Sequence, residues 1–155
     1  MTALLRPLRT KLLGLAALAL CSCASFTGTH PQGFAAYPDQ PGGEWKAVSP
    51  EGVTWRIHEE AHEPAADLAF WKGALRKRMS EAGYRIVDSL AFSAGGKSGM
   101  ALELSAPLGQ TDYGYLVAAI LTDKKLIVIE AAGPSAEFAK HRTDMLATLP
   151  TIVVK

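Results

Sequence analysis

Met100-Ala101-Leu102-Glu103-Leu104-Ser105 and, a short way on, Leu126-Ile127-Val128-Ile129-Glu130-Ala131-Ala132 decide the fold class of this chain. The first stretch alternates apolar and polar side chains, the period of a strand with one face buried. The second is apolar except for Glu130 and rich in β-branched residues, which reads as another strand. Between them Tyr113 to Leu121 is apolar on both faces, which places it centrally in a sheet. Upstream, Tyr84 to Phe92 runs into Gly95-Gly96-Lys97-Ser98-Gly99, and Asp123-Lys124-Lys125 separates the last two strands. Turns this short join only antiparallel neighbours.

Outward from these four strands lie two helices. Leu68, Trp71, Leu75, Met79 and Ala82 recur at threes and fours, predicting a buried stripe, while Lys72, Arg76, Lys77, Arg78 and Glu81 cover the opposite side. Pro64 or Glu63 is expected in the first turn of this helix, and Gly83 ends it. A second helix follows Gly133-Pro134, with Ser135 as its expected cap, Phe138, Met145, Leu146 and Leu149 as its apolar positions, and Pro150 as its stop. Thr151 to Val154 reads as a coda or a short edge strand. Before the first helix, Val53, Trp55 and Ile57 share one face of a strand, and Glu44 to Ser49 is a candidate partner. The expectation is an α+β domain: an antiparallel β-sheet packed by two α-helices.

The amino terminus has a different character. Arg6, Arg9 and Lys11 precede an unbroken apolar run from Leu12 to Leu20, too short to span a bilayer and laid out as a secretory signal. Leu20-Cys21-Ser22-Cys23 resembles the box of bacterial lipoproteins, in which a cysteine after small residues carries the lipid. Cys23 fits that role better than Cys21, because the residue before the cut is then Ser22 and not the bulky Leu20. The resemblance implies a signal peptide over 1–22, a membrane anchor at Cys23 and, with Ala24 rather than an aspartate next, an outer-membrane destination where the organism has one. With Cys21 removed and Cys23 capped, no thiol remains for a disulfide, a nucleophile or a metal cluster.

Residues 23–43 are rich in proline, glycine and small polar residues and read as a flexible tether; an ordered arm attached through Phe34 and Tyr37 is the alternative. Residues 44–155 are enough for a single core. Without residues 1–22, which hold Arg6, Arg9 and Lys11 and no acid, the 16 basic and 15 acidic side chains become 13 and 15. A formal charge of −2 gives no electrostatic reason to bind nucleic acid.

The order of elements over 44–155 resembles the PsbP/Mog1-type sandwich, found also in DcrB-like proteins and several envelope lipoproteins. Phe70-Trp71 closing into Gly83-Tyr84, the run of hairpins, Ile129-Glu130-Ala131-Ala132-Gly133 and the last helix from Phe138 to Leu149 carry the resemblance. A ferredoxin-like arrangement with the last strand in the sheet is the alternative. The sandwich family shares no catalytic residues, so the resemblance implies a non-enzymatic binding or assembly domain with no cofactor, anchored to the membrane through Cys23 and partnered by another envelope protein.

Other constellations are weaker. His58-Glu59-Glu60-Ala61-His62 spells the His-Glu-x-x-His of zinc peptidases, which needs a helix to set two imidazoles one turn apart. Here His58 ends a strand pattern, Pro64 forbids a helix through it, and Glu81 is the only guess at a third ligand. Gly95-Gly96-Lys97-Ser98 mimics the tail of a phosphate loop, but Ala91 stands where the first glycine belongs and a strand follows. His30 and His141 have no evident carboxylate partner. Tyr113 and Tyr115 could floor a groove, and a small apolar ligand near Trp55, Trp71 and Tyr115 is the rival to a protein partner.

Overall fold

The computed structural model describes residues 24–40, 42–108 and 111–155; the expected signal peptide over 1–22 and the expected lipid attachment at Cys23 lie outside the described residues. Strands β1 (Phe26–Thr27), β2 (Ala35–Ala36), β3 (Glu44–Val48) and β4 (Thr54–Ala61) precede helix α1 (Leu68–Glu81). Strands β5 (Arg85–Ala94), β6 (Lys97–Leu108), β7 (Thr111–Leu121) and β8 (Lys125–Pro134) lead to helix α2 (Ser135–Thr148), and β9 (Val153–Val154) closes the chain. Among the described residues one seven-stranded antiparallel sheet has the order β2-β3-β4-β8-β7-β6-β5. The expected α+β fold is the observed one. The ferredoxin-like alternative fails because β9 pairs with β1, outside the main sheet.

Helix α1 starts later than the proline suggested. Asp67 caps it, its carboxylate accepting from the Phe70 N–H at 2.8 Å, and Pro64 stays in the loop. Its end is the one foreseen: Gly83 takes φ +86°, and the Tyr84 and Gly83 amides donate to the Met79 and Ser80 carbonyls. That paired closure needs the left-handed conformation that glycine adopts without strain. The stripe on α1 is only half covered, since no residue of the helix is buried. At α2 the cap is Pro134 and no side chain bonds the end, so Ser135 is the first helical residue and not the cap.

The two helices lie on opposite faces of the sheet. Beneath α2, Phe138, Met145 and Leu149 pack on Trp55, Ile57, Leu116, Ile120 and Ile129. Gly114 permits this contact, because a Cβ there would stand 2.5 Å from the Phe138 ring. Beneath α1, Leu75 and Met79 meet Leu102, Leu104 and Val117 in a smaller cluster.

Strand β6 is covered on both faces, where alternation had indicated one. Glu103 points under α2 with its side chain 8% exposed, and Arg142 reaches in to hold it through two hydrogen bonds of 2.6 and 2.7 Å. Arg142→Ala strands that carboxylate in the core and is expected to cost about 2–3 kcal/mol in urea unfolding. Adding Glu103→Gln should recover part of the loss, because the group left behind is then neutral.

Residues 24–40, expected as part of a tether, lie against the domain instead. Phe26 and Phe34 are 4% and 6% exposed in the core under α2, β2 pairs with β3, and the Trp55 indole N–H donates to the Thr29 carbonyl at 2.9 Å. The arm attaches through Phe26 and Phe34; Tyr37 is exposed. Two buried aromatic rings offset the entropy of ordering a short proline-containing segment.

Candidate functional site

Helix α1 covers β5, β6 and part of β7 and leaves the rest of its face of the sheet open. Between the helix and this open half runs a cleft of about 560 Å³. Trp71, Leu75 and Met79 form the helix wall, and Val117, Val128 and Met100 lie on the sheet floor. The strand period explains the far side: Arg56 and His58 alternate with the core residues Trp55 and Ile57, so they project into the cleft with Glu130 of β8, which faces Arg56 across the ladder.

These polar groups are engaged with one another. Tyr115 donates its hydroxyl hydrogen to Glu130 Oε1, and Arg56 Nη1 donates to Glu130 Oε2 at 3.3 Å. Arg56 Nε bonds Glu44, which also pairs with Lys46 Nζ at 3.0 Å. Hydrogen bonds from Lys46 and then Arg56 hold the Glu44 carboxyl below its ordinary pKa. His58 stands 3.8 Å from Glu130 and 3.4 Å from Glu60. Trp71 Nε1 and His58 Nδ1 are buried without a hydrogen-bond partner.

Burial first, and then the bond to Glu130, push the Tyr115 phenol well above its ordinary pKa. A raised phenol contributes stability that is full below about pH 10 and is lost as pH climbs through the folded value. Absorbance titration should therefore show one of the four tyrosines ionising late, and Tyr115→Phe should delete that late step.

The other candidate residues fall elsewhere. His58 lies on β4 and His62 just beyond its end, so the pair is about 13 Å apart along extended chain, not one helical turn. Both His62 ring nitrogens contact backbone, at Thr122 and Ala66. Glu59 faces away from the cleft and bonds Ser25. Among the described residues no three His, Cys, Asp or Glu side chains gather as a metal site. Gly95 and Gly96, both at positive φ, form the β5–β6 hairpin turn, with Ala94 opposite Lys97. His141 does have a carboxylate partner, Glu51 at 2.9 Å, and meets the Phe34 ring edge-on. His30 stacks on Trp45. On α1, Arg76 and Lys77 are exposed, Lys77 pairs with Glu81, and Arg78 borders the cleft.

Of the aromatic trio read as a pocket, Trp71 and Tyr115 line the cleft, whereas Trp55 is buried on the opposite face. Sequence reasoning missed Arg56, Glu44 and Glu130. The signal was a lone carboxylate inside the apolar run of β8 and an arginine in step with His58 on β4.

No family model and no curated protein matches the chain. No described helix is long and apolar enough to cross a membrane. Solved structures do share the architecture. A Pseudomonas aeruginosa protein of unknown function aligns with a TM-score of 0.62 at 14% identity, over 79% of this chain and 97% of that one. LpqN of Mycobacterium tuberculosis, involved in cell envelope biogenesis, aligns at 0.59 and 14%, over 83% of each chain. The cyanobacterial PsbP (CyanoP) of Synechocystis aligns at 0.58 and 12%, over 91% of this chain and 99% of that one. At such identities the likeness establishes architecture alone, and the domain has a PsbP-like fold.

Proposed function

We propose that this chain is a lipid-anchored protein of the bacterial cell envelope, held at Cys23, whose domain binds another envelope component without catalysing a reaction. The observation that carries the binding role is the cleft under α1. Arg56 and Glu130 are already paired with one another, Trp71, Leu75, Met79, Val117 and Val128 give it an apolar and aromatic centre, and its helix wall has no buried residue. Such a surface takes up a partner's apolar side chains without needing new ionic chemistry. The anchor rests on Leu20-Cys21-Ser22-Cys23 and the apolar leader before it, with Ala24 favouring the outer membrane. A fold shared with LpqN agrees with envelope work and names no process.

A second reading has its own support. A volume of about 560 Å³ falls in the range of roughly 300–1,000 Å³ typical of small-ligand sites, which fits a carrier of a small apolar molecule. In-cell cross-linking separates the two. A photoreactive side chain at Leu75 should capture one dominant envelope protein, and the same probe at Glu51, at the far end of the sheet, should not. Capture of nothing above background at Leu75, with a co-purifying apolar molecule that raises the melting temperature, would replace the protein partner by the carrier reading.

A further inference from the structure

The point at which the arm is first fastened to the domain decides which way the domain faces. Ser25 donates from its N–H and its hydroxyl to Glu59 Oε1 at 2.5 and 2.8 Å, and its carbonyl accepts from the Lys155 N–H at 2.8 Å. Phe26 then pairs with Val154 and buries its ring. The chain is therefore held from Ser25 onward. Cys23 is two residues earlier, and two residues of fully extended chain reach about 7 Å.

Ser25 sits at one end of the sheet. Near Glu59, strand β4 ends at Ala61 opposite Lys125, beside the β7–β8 turn. Lys97 of the β5–β6 turn stands 3.8 Å from Asp123 of that turn, and Gly95 lies against Val154. We infer that this end, made of the β5–β6 and β7–β8 turns and the loop from β4 to α1, rests on the lipid headgroups of the membrane. The opposite end, with Glu51 and Asp112, points away. The inference rests on the lipidation of Cys23 proposed above.

Length, and not charge, sets this orientation. Lys97 and Lys125 are each matched by an acid, Asp123 and Glu59, and the two further bases near this end, Lys124 and Lys155, are equalled in number by Glu60 and Glu63. A free tether of 20 residues would have an end-to-end distance of about 25 Å and would allow any face to meet the bilayer. A leash of about 7 Å allows one. Ala61, Glu63 and Leu126 of the cleft lining belong to the same end, so that part of the proposed binding site lies nearest the membrane.

The test uses the processed, lipidated protein in phosphatidylcholine vesicles carrying a headgroup acceptor dye. Its Cys23 sulfur is blocked by lipid, so Asp123→Cys and Asp112→Cys each supply one reactive thiol for a donor dye. With the two ends of an 11-residue strand about 30 Å apart, energy transfer from position 123 should exceed that from position 112 at least about twofold. Inserting a 20-residue Gly-Ser linker between Cys23 and Ala24 should equalise the two signals. Equal or reversed transfer in the uninserted protein, with lipid present on Cys23 by mass, would overturn the inference and leave the anchor standing. Absence of lipid on Cys23 would overturn the anchor and the orientation together.

Discussion

Trp55→Ala should remove about 3–5 kcal/mol from the folded state, a large part of the stability of a domain this size. Trp55 is 1% exposed at the centre of the core under α2, so the substitution opens a cavity that the sheet cannot collapse to fill. It also deletes the N–H that holds the Thr29 carbonyl of the arm. Trp55→Phe keeps most of the packing and loses the bond, and should cost less, about 1–2 kcal/mol. The arm's share can be read from Phe34→Ala, expected to cost about 3 kcal/mol, because its ring is buried against the same core. The two changes act on one packed unit, so their effects should not add. Urea unfolding of the unlipidated mature chain checks all three; a neutral Phe34→Ala would mean that residues 24–40 behave as a tether after all.

Cys23→Ala should move the protein from the membrane fraction to the soluble fraction almost completely, a change in partition of at least about a hundredfold. Each buried methylene of an acyl chain contributes about 0.8 kcal/mol, so a multiply acylated cysteine anchors stably and its absence leaves little. Residues 23–155 carry a formal charge of −2, and no described helix is long and apolar enough to cross a bilayer. Among the described residues nothing else replaces the lipid. Fractionation of cells expressing both forms at equal level is the check, and an unchanged membrane fraction would mean that Leu20-Cys21-Ser22-Cys23 has been misread.

Most of the fold was legible because it is written in local periods. The threes and fours of α1, the alternation in β4 and β6, and the glycines at 83, 95 and 96 each act within a few residues. The arm was not legible. Phe26 and Phe34 carry no period, and their burial depends on space left beside Trp55 and α2, which only the assembled fold supplies. Glu103 misled for a similar reason: a carboxylate in an alternating strand reads as exposed, and its partner Arg142 lies 39 residues away. The cleft is the extreme case. Arg56 and Glu130 are 74 residues apart and meet because β4 and β8 pair in one particular register. The His-Glu-x-x-His spelling, by contrast, lost its apparent meaning from the strand pattern around His58, and β4 runs as a strand from His58 to Ala61 and stops before His62.

The intact mass of the protein extracted from membranes by detergent tests the account most directly, because location, orientation and the placing of the cleft all depend on Cys23. The account predicts a mature chain beginning at Cys23 and heavier by a diacylglyceryl group, with or without a further acyl chain on the amine. A chain that begins elsewhere, or that begins at Cys23 with no added lipid, would contradict it.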